Sequence, residues 1–310
     1  MTDLASRLRG VIPPLATPLD PSGAVDLGSL RRLVRFQVDA GVHGVFLGGS
    51  TGEVALLDSG QRRALVETAV DEVAGVVPVL VGAIDTGTNR VIEQARAASA
   101  MGADAAVVTA PFYVQPHPDE IVAHFRAVRE AVDIPVVAYD IPSAVGFRLT
   151  PDVVSALAES GAAVGLKDSS GDLTTFREIV RRLPGFPVLT GSELLADVSV
   201  RLGAVGLVPG LGNVDPHGYL RLFEAARAGD FAGAAVEQDR LARLFTIVSV
   251  ADRGRIGFTA GALGAFKAAM ALRGIIADPA TNRPLLPLDD TEVKSVAAIL
   301  DEVGLGPIPR

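Results

Sequence analysis

The stretch Ala163-Val-Gly-Leu-Lys167-Asp-Ser169 decides how the chain folds, because an apolar run ends there in a lysine and passes directly into a turn. Short apolar runs bounded by turn residues are typical of buried strands. We therefore expect Lys167 at the carboxyl end of a strand, the end that carries the chemistry in barrel enzymes. Burial disfavours a charged ammonium, and a neutral amine can attack a ketone to form a Schiff base. The competing interpretation is a structural lysine that extends out of the strand end and pairs with Asp168.

The same pattern of a short apolar strand, a loop and an amphipathic helix recurs on both sides of this stretch. Eight strands are predicted, over residues 11–17, 45–49, 77–83, 105–110, 135–139, 163–167, 187–190 and 204–208. None of them alternates with polar residues, as expected for parallel strands that are covered on both faces. Eight such units within about 200 residues predict an α/β fold, a (β/α)8 TIM barrel rather than an open doubly wound sheet.

The last part of the chain has a different pattern, which is helical only. Three amphipathic helices are predicted, over residues 230–250, 258–276 and 289–303. No low-complexity linker separates them from the strands. We therefore predict a barrel over residues 1–228 and a C-terminal three-helix extension over residues 229–310 that packs on it.

Composition excludes several classes of protein. The chain has 310 residues, 49% of them hydrophobic and 21% charged, and a mean hydropathy of +0.37, values typical of a globular protein with a large core. A net charge of −8 and the absence of a basic cluster argue against nucleic acid or an anionic membrane as a partner. No apolar run approaches the ~18 residues of a membrane span. The absence of cysteine and of an apolar block at the start leads us to expect a cytoplasmic protein.

The loop Gly48-Gly-Ser-Thr-Gly-Glu53 follows the second predicted strand. Its glycines let the backbone approach a ligand, and Ser50 and Thr51 offer hydroxyl and N–H groups that could hold a carboxylate or a phosphate. It is not a Walker loop, because no Gly-Lys-Ser/Thr follows. The alternative is a plain turn with Ser50 or Thr51 as the N-cap of the next helix.

Three other strand ends carry candidate groups. Tyr113 and Tyr139 follow the fourth and fifth strands, where a phenol can relay protons, although a core tyrosine with a satisfied hydroxyl is the common alternative. Glu193 follows the seventh strand, where it could bind the polar end of a substrate or serve as a first-turn carboxylate. A hydroxyl and two phenols near the amine of Lys167 are the groups that carbinolamine formation and dehydration require.

No cofactor is indicated by the remaining motifs. The four histidines, His43, His117, His124 and His217, do not have metal-ligand spacing, so we interpret them as structural or surface residues and predict no metal site. No Gly-x-Gly-x-x-Gly sequence follows a strand, so no dinucleotide is predicted.

Four motifs in register resemble one known family. Gly-Gly-Ser-Thr-Gly-Glu at 48–53, Ala-Pro-Phe-Tyr at 110–113, Tyr-Asp-Ile-Pro at 139–142 and Gly-Leu-Lys-Asp-Ser at 165–169 are similar to the dihydrodipicolinate synthase / N-acetylneuraminate lyase family. The resemblance runs through the whole barrel and into the helical tail. It implies a metal-independent class I lyase or aldolase that acts on pyruvate or another 2-oxo acid, without a cofactor, and that is commonly a homotetramer built as a pair of dimers.

The resemblance also implies roles for individual residues. Lys167 would form the Schiff base with the keto carbon, and Tyr139 would be the general acid/base for carbon–carbon cleavage. Ser50 and Thr51 would bind the substrate carboxylate and join the proton relay. Tyr113 would complete the relay, in many members by reaching in from a neighbouring subunit. The backbone of two further residues would line the pocket, Gly191 and Val208.

One departure from the family pattern concerns the substrate. Dihydrodipicolinate synthases carry Pro-Ser-Arg-Thr-Gly where this chain has Pro142-Ser-Ala-Val-Gly146, and that arginine binds the carboxylate of the aldehyde partner. Ala144 cannot form such a pair, whose loss costs about 2–5 kcal/mol. We therefore do not expect a typical dihydrodipicolinate synthase. The loop at 48–53 is closer to the sialic acid lyase and keto-deoxy-sugar-acid aldolase branches, and Glu193 is predicted to bind hydroxyls of a sugar-like tail. Ala144 and Val145 equally allow an apolar aldehyde.

The leading hypothesis is a lyase that reversibly cleaves a 4-hydroxy-2-oxo acid, such as a 2-keto-3-deoxy sugar acid or a sialic-acid-like substrate, into pyruvate and an aldehyde. The first alternative is a dehydratase of 2-keto-3-deoxy sugar acids that uses the same lysine imine. The others are a dihydrodipicolinate synthase, a catalytically silent barrel that binds or regulates, and a phosphate-binding isomerase suggested only by Gly210 and Gly212.

Overall fold

Eight short parallel strands form the centre of the molecule in the computed structural model, which describes residues 4–308. They are β1 Gly10–Val11, β2 Val45–Leu47, β3 Val79–Gly82, β4 Ala105–Thr109, β5 Val136–Asp140, β6 Leu166–Asp168, β7 Val188–Thr190 and β8 Gly206–Leu207. From β2 to β8 each strand pairs with the next in sequence, and β8 pairs with β1. A parallel bridge between Pro14 and Phe46 closes the seam between β1 and β2. The predicted (β/α)8 barrel is confirmed.

Helices surround the barrel and continue beyond its last strand. The α-helices of the described residues are α1 Leu4–Arg7, α2 Leu27–Ala40, α3 Ser59–Val73, α4 Thr88–Ala100, α5 Pro118–Ala131, α6 Pro142–Val145, α7 Pro151–Glu159, α8 Leu173–Arg182, α9 Ala196–Leu202, α10 Pro216–Arg227, α11 Phe231–Phe245, α12 Phe258–Leu272 and α13 Asp290–Glu302. Short 3₁₀ turns occupy Glu193–Leu195, Gly210–Asn213 and Thr246–Ser249. No helix among residues 4–308 is long and apolar enough to cross a bilayer.

Local sequence explains where several helices begin and end. Gly41 ends α2 in the left-handed conformation with φ of 89°, as its position predicts, because glycine adopts this conformation without a Cβ clash. Pro151 opens α7, and the side chain of Thr150 accepts a hydrogen bond from the N–H of Val153. The N-cap of α3 is Asp58, which forms a capping box with Gln61. The alternative that placed Ser50 or Thr51 as the N-cap of this helix is therefore wrong.

The first strand is shorter than the sequence predicts. Residues 11–17 were expected to be extended, but regular pairing stops after Val11. Pro13 and Pro14 have no N–H to donate to the ladder, so the segment continues with isolated bonds, such as that from the N–H of Leu15 to the carbonyl of Phe46, 2.8 Å. The other seven strands lie where they were predicted, with ends shifted by up to three residues.

Alternation along the strands separates two layers of side chains. On β4 and β5 the side chains of Val107, Val137 and Tyr139 pack with Phe46 and Leu189 inside the barrel. Residues at the alternate positions of the same strands pack under the helices, among them Ala106, Val108, Val136 and Ala138. Because Lys167 is the register partner of Tyr139, its side chain also enters the barrel.

The helices after the barrel confirm the three that the sequence predicts, although α11 and α12 end earlier than expected. Leu241, Phe266 and Val296 from these helices belong to one buried cluster with Val45 and Leu207 of the barrel strands. The extension therefore packs on the barrel through a continuous apolar core. The boundary at residues 228 and 229 stays a prediction.

Candidate active site

Lys167 lies inside the barrel with its amine against two aromatic rings. The side chain is buried, and Nζ lies 3.9 Å from the ring centroid of Tyr139 and 4.9 Å from that of Phe46. Among the described residues no carboxylate forms an ion pair with this amine. Asp168 points to the other side of the strand, where its carboxylate accepts the N–H of Ser170 at 2.7 Å. The structural alternative of a lysine paired with Asp168 is therefore wrong, and the amine is available to a ligand.

The space beside the amine of Lys167 depends on Gly191, which follows the neighbouring strand β7. A Cβ on Gly191 would lie 3.1 Å from Cε of Lys167 and would collide with the hydroxyl of Ser169. Val208, at the end of β8, belongs to the same inner cluster as Tyr139 and Leu189. Gly191 and Val208 thus lie around Lys167, at positions where they can line a pocket.

Tyr139 and Ser50 place two hydroxyl groups near the amine. Oγ of Ser50 lies 3.4 Å from the phenolic oxygen of Tyr139, with either atom able to donate. Ser50 is exposed at the barrel mouth, whereas Tyr139 is buried. Within the described chain, the backbone N–H groups of Ser50 and Thr51 have no hydrogen-bond acceptor. The loop therefore offers two N–H groups to an anion, and the hydroxyl of Ser50 lies between the phenol of Tyr139 and solvent.

Thr51 meets Glu193 at the turn that follows β8. A Cβ on Gly210 would lie 3.0 Å from Oγ1 of Thr51 and 3.1 Å from Oε1 of Glu193. The same carboxylate oxygen accepts the N–H of Leu211 at 2.6 Å. Burial raises the pKa of Glu193 to about 7, opposed by this hydrogen bond and by the charge of Lys167. Glu193 thus ties the turn at Gly210 to the site. Its predicted contact with a sugar-like tail stays a prediction.

A buried ion pair holds the end of the loop that carries Ser50 and Thr51. This pair was not predicted from the sequence. Glu53 has φ of 61°, and its buried carboxylate pairs with the equally buried ammonium of Lys267 on α12. The second carboxylate oxygen accepts the N–H of Asn282 at 2.6 Å, and Nζ of Lys267 donates to the carbonyl of Ala280 at 2.6 Å. A lone lysine in an otherwise apolar helix was the available signal, since a buried ammonium requires a partner.

A cavity of about 220 Å³ opens between these hydroxyl groups and the loops above β3, β4 and β5. Its polar lining includes Ser50, Thr109 and Tyr139. Most of the remaining lining is apolar and comprises Val54, Ala55, Leu56, Ile84, Phe112, Ile141, Ala144, Val145 and Leu263. Ala144 belongs to this wall, and its predicted contact with the substrate stays a prediction. A larger cavity of about 730 Å³ is lined mainly by α3, α4 and the residues around them, and its lining contains none of the predicted site residues.

Tyr113 does not reach this cavity in its own chain. Its side chain is 96% exposed, and its backbone adopts the left-handed conformation with φ of 71°, which is uncommon for a residue with a bulky side chain. The preceding residue, Phe112, lines the cavity instead. A relay through Tyr113 therefore requires a second copy of the chain, and it stays a prediction.

Two buried carboxylates lie behind the site, on the outer face of β5 and β6. Asp140 and Asp168 are register partners, each one residue after a predicted catalytic residue. Arg148 donates to Asp140 at 3.2 Å, and the N–H of Leu149 donates to the same side chain at 3.0 Å. Burial raises the pKa of Asp140 to about 6, with repulsion from Asp168 adding to the effect and Leu149 and Arg148 opposing it. Burial also raises the pKa of Asp168.

The histidines serve local structure. His43 accepts the N–H of Val11 at 3.2 Å, His117 is the N-cap of α5, and His124 bonds to Thr88 at 3.0 Å. His217 makes an edge contact with the ring of Phe36. Within residues 4–308 no group of three or more histidine and carboxylate side chains is arranged to hold a metal ion.

Comparison with known proteins agrees with this geometry. The model of the dihydrodipicolinate synthetase family matches residues 7–303. An uncharacterised DapA-like lyase of Halobacterium salinarum is 37% identical over 298 residues, covering 96% of this chain and 95% of that protein. A 4-hydroxy-tetrahydrodipicolinate synthase of an Anaeromyxobacter strain is 34% identical over 301 residues, covering 96% and 98%.

A solved structure with the same fold carries pyruvate. YagE of E. coli K12, a prophage protein of the dihydrodipicolinic acid synthase family in complex with pyruvate, superimposes with a TM-score of 0.89 at 29% identity, covering 96% of this chain and 99% of that chain. The likeness extends across the barrel and the C-terminal helices.

Proposed function

The chain belongs to the dihydrodipicolinate synthetase family, and from that premise we propose that it is a class I lyase that reversibly cleaves a 4-hydroxy-2-oxo acid into pyruvate and an aldehyde. Enzymes of this family are lyases that use a Schiff base between a lysine and pyruvate, without a metal. The finer proposal concerns which residues of this chain perform the reaction and which bond is broken.

One observation carries the proposal: the amine of Lys167 lies inside the barrel and forms no ion pair with a carboxylate of the described part of the chain. An ammonium in this position would be expected to pair with a carboxylate, and the two buried acids of the neighbouring strands, Asp140 and Asp168, face the opposite side. The rings of Tyr139 and Phe46 surround the amine instead. An amine that is not held in an ion pair is available to attack a carbonyl carbon.

The reaction begins with addition of the Lys167 amine to the C2 keto carbon of the substrate. The carbinolamine takes up a proton and loses water, which leaves a protonated imine. The phenol of Tyr139, connected to solvent through Ser50, supplies and removes the protons of these steps.

Cleavage follows when Tyr139, as its phenolate, removes the proton from the C4 hydroxyl. The C3–C4 bond breaks, its electron pair moves into the imine to form an enamine, and C4 leaves as the aldehyde carbon. Protonation of C3 and hydrolysis of the imine then release pyruvate and return the free amine. Each proton that Tyr139 accepts is returned within the cycle, and the cleavage is redox-neutral, so it requires no oxidant or reductant.

The substrate carboxylate would bind to the N–H groups and hydroxyls of Ser50 and Thr51. The absence of an intramolecular acceptor for those two N–H groups supports this assignment. Gly191 and Val208 would line the pyruvate half, and Glu193 would contact the substrate or the turn that supports Thr51.

The proposal differs from the synthase reaction named for some relatives. Among residues 4–308 no cationic side chain lines the cavity around Ala144, so an aldehyde with a carboxylate of its own would have no charged partner from that part of the chain. This supports a lyase of different aldehyde specificity rather than a typical dihydrodipicolinate synthase.

We further propose a cytoplasmic homotetramer built as a pair of dimers, in which Tyr113 enters the site of a neighbouring chain. The exposed side chain and the positive φ of Tyr113 support this arrangement, since strained backbone is commonly found at functional positions.

The proposal is tested with a panel of 4-hydroxy-2-oxo acids, scored for release of pyruvate and, separately, for the 2,5-dioxo product of a dehydratase. We expect pyruvate from at least one member and none with the Lys167→Ala variant. Lys294→Ala is the matched control, because Lys294 is exposed on α13 and should be dispensable. A 2,5-dioxo product without pyruvate would establish the dehydratase alternative, and turnover by Lys167→Ala would refute the assignment of the amine.

A further inference from the structure

The loop that follows β5 leaves the barrel after Asp140 and returns to the same residue. Residues 141–147 contain the short helix α6, and among the described residues their backbone hydrogen bonds stay within the loop. At the return end, the N–H of Leu149 donates to Oδ1 of Asp140 at 3.0 Å, and Nε of Arg148 donates to Oδ2 at 3.2 Å. One carboxylate therefore holds the two ends of the loop together.

Arg148 also connects this loop to the loop that follows β6, the strand of Lys167. Its Nη1 donates to Oδ2 of Asp172 at 3.3 Å. Asp172 is itself fixed, because it is the N-cap of α8 and its side chain accepts the N–H groups of Thr174 and Thr175 at 3.0 and 3.1 Å. The remaining nitrogen of the guanidinium, Nη2, is buried and has no hydrogen-bond partner in the described chain. The guanidinium therefore lies between the ends of β5 and β6 and binds a carboxylate from each.

The loop held in this way forms one wall of the cavity beside Tyr139. Three of its residues line the cavity of about 220 Å³, Ile141, Ala144 and Val145. In the proposed reaction Tyr139, which also lines this cavity, exchanges the proton at C4 of the substrate. The part of the substrate beyond C3 is therefore directed towards this wall. Because residues 141–147 make no hydrogen bond to other described elements, the position of the wall depends on the bonds at the return end of the loop.

We propose that Arg148 is a positioning residue for the part of the substrate beyond C3, because it fixes the loop that forms the cavity wall. This inference rests on the proposed lyase function and adds a residue that controls how the same site holds its substrate. Arg148 does not line the cavity and acts through residues 141–147. Capture of pyruvate by Lys167 should not depend on it, because the groups proposed to bind the pyruvate carboxylate, those of Ser50 and Thr51, belong to another loop.

A different role for Arg148 would be to neutralise a buried carboxylate without positioning the loop. Asp140 is 2% exposed and loses its cationic partner when Arg148 is replaced. A double variant, Asp140→Asn with Arg148→Met, separates the two roles. It removes the buried charge together with its partner, so the penalty of an unpaired carboxylate is absent. The loop of the double variant still lacks the guanidinium that joins it to Asp172.

The experiment compares the parent protein, Arg148→Met and the double variant in two assays. Cleavage is measured with the 4-hydroxy-2-oxo acid that the parent protein cleaves fastest in the panel. Pyruvate capture is measured as the half-saturating pyruvate concentration for borohydride trapping on Lys167. We expect kcat/KM for cleavage to fall about tenfold or more in both variants, because a small misplacement of the substrate has an effect of this size. The half-saturating concentration of pyruvate should stay unchanged.

Arg182→Met is the matched control. Arg182 also pairs with two carboxylates, those of Asp152 and Glu178, but on the exposed side of α7 and α8. Its replacement should leave both assays unchanged. Urea unfolding of all variants gives the stability of each, and the double variant should be more stable than Arg148→Met, because it leaves no unpaired buried carboxylate. If Arg148→Met does not fold, the double variant alone decides the outcome.

Three results would overturn the inference. Recovery of the parent kcat/KM in the double variant would show that Arg148 only compensates charge. An equal loss of cleavage and of pyruvate capture would show that Arg148 supports the whole site. A parent-like kcat/KM in Arg148→Met would show that the loop does not depend on it. If the parent protein traps no pyruvate on Lys167, or cleaves no member of the panel, the proposed function itself fails and the inference fails with it.

Discussion

The buried pair of Glu53 and Lys267 provides a prediction in which stability and activity are linked. Glu53 ends the loop that carries Ser50 and Thr51, while Lys267 belongs to α12 of the C-terminal extension. Their side chains are 0% and 1% exposed. Burial lowers the pKa of Lys267, and the charge of Glu53 counteracts this. Replacing either partner therefore leaves the other as a buried charge that has lost its counter-ion.

The expected cost follows from that burial. In Lys267→Met the carboxylate of Glu53 retains only the N–H of Asn282, and in Glu53→Gln the ammonium of Lys267 retains only the carbonyl of Ala280. Each single substitution should lower the free energy of unfolding by about 3–5 kcal/mol. The double variant leaves no unpaired charge and should recover at least about half of that loss, because the desolvation of both ions is also removed.

The assay is equilibrium unfolding in urea of the parent protein, both single variants and the double variant. Arg63→Met is the control, because the pair Arg63–Glu67 is 74% and 53% exposed with its atoms 3.9 Å apart, and its loss should cost less than about 1 kcal/mol. Turnover should fall in the single variants, since the loop with Ser50 loses its support. Two results would refute this reasoning. One is a loss of unfolding free energy below about 1 kcal/mol in each single variant. The other is a double variant whose loss equals the sum of the two single losses.

Three further predictions concern the site. Tyr139→Phe should lower kcat by about 100-fold or more, because the proton relay loses its phenol, whereas Tyr219→Phe, at a buried phenol outside the site, should not; comparable rates would contradict the role of Tyr139. Because the pKa of Asp140 is raised from 3.8 to about 6, the folded state holds a proton that the unfolded chain has released, so stability should fall by about 3 kcal/mol as pH rises from 4 to above 6. In urea unfolding across this pH range, the stability of Asp140→Asn should depend less on pH than that of the parent protein. An identical pH dependence of both proteins would refute the raised pKa of Asp140. Tyr113→Phe subunits mixed with Lys167→Ala subunits should be more active after subunit exchange than either variant alone. In a mixed pair, an intact Lys167 can meet an intact Tyr113 of the other subunit. No gain of activity in a mixed oligomer would argue against a shared site.

Sequence pattern was sufficient for the barrel because each strand is a local signal. The apolar runs before Ser50, Tyr139 and Lys167 lie between turn residues, and parallel strands place their carboxyl ends at one face of the barrel. The candidate amine, phenol and hydroxyls could therefore be assigned to one site before any contact was known. The bounds of β1 were the main error in the sheet, because the effect of Pro13 and Pro14 on pairing was not taken into account.

The supporting contacts could not be predicted because their partners are far apart in sequence. Glu53 and Lys267 are 214 residues apart (267 − 53), and nothing in the periodicity of either segment indicates that they meet. Asp140 and Asp168 gave a local signal, a carboxylate one residue after each predicted catalytic residue. Alternation alone, however, does not show that Arg148 pairs with Asp140.

The most direct test of the account is to incubate the protein with pyruvate, reduce it with borohydride and map the modified peptide by mass spectrometry. The chain has three lysines, Lys167, Lys267 and Lys294, so the assignment is unambiguous. The account predicts one reduced pyruvate per chain, on Lys167, and none in Lys167→Ala. An unmodified Lys167, or an adduct that persists in Lys167→Ala, would contradict it.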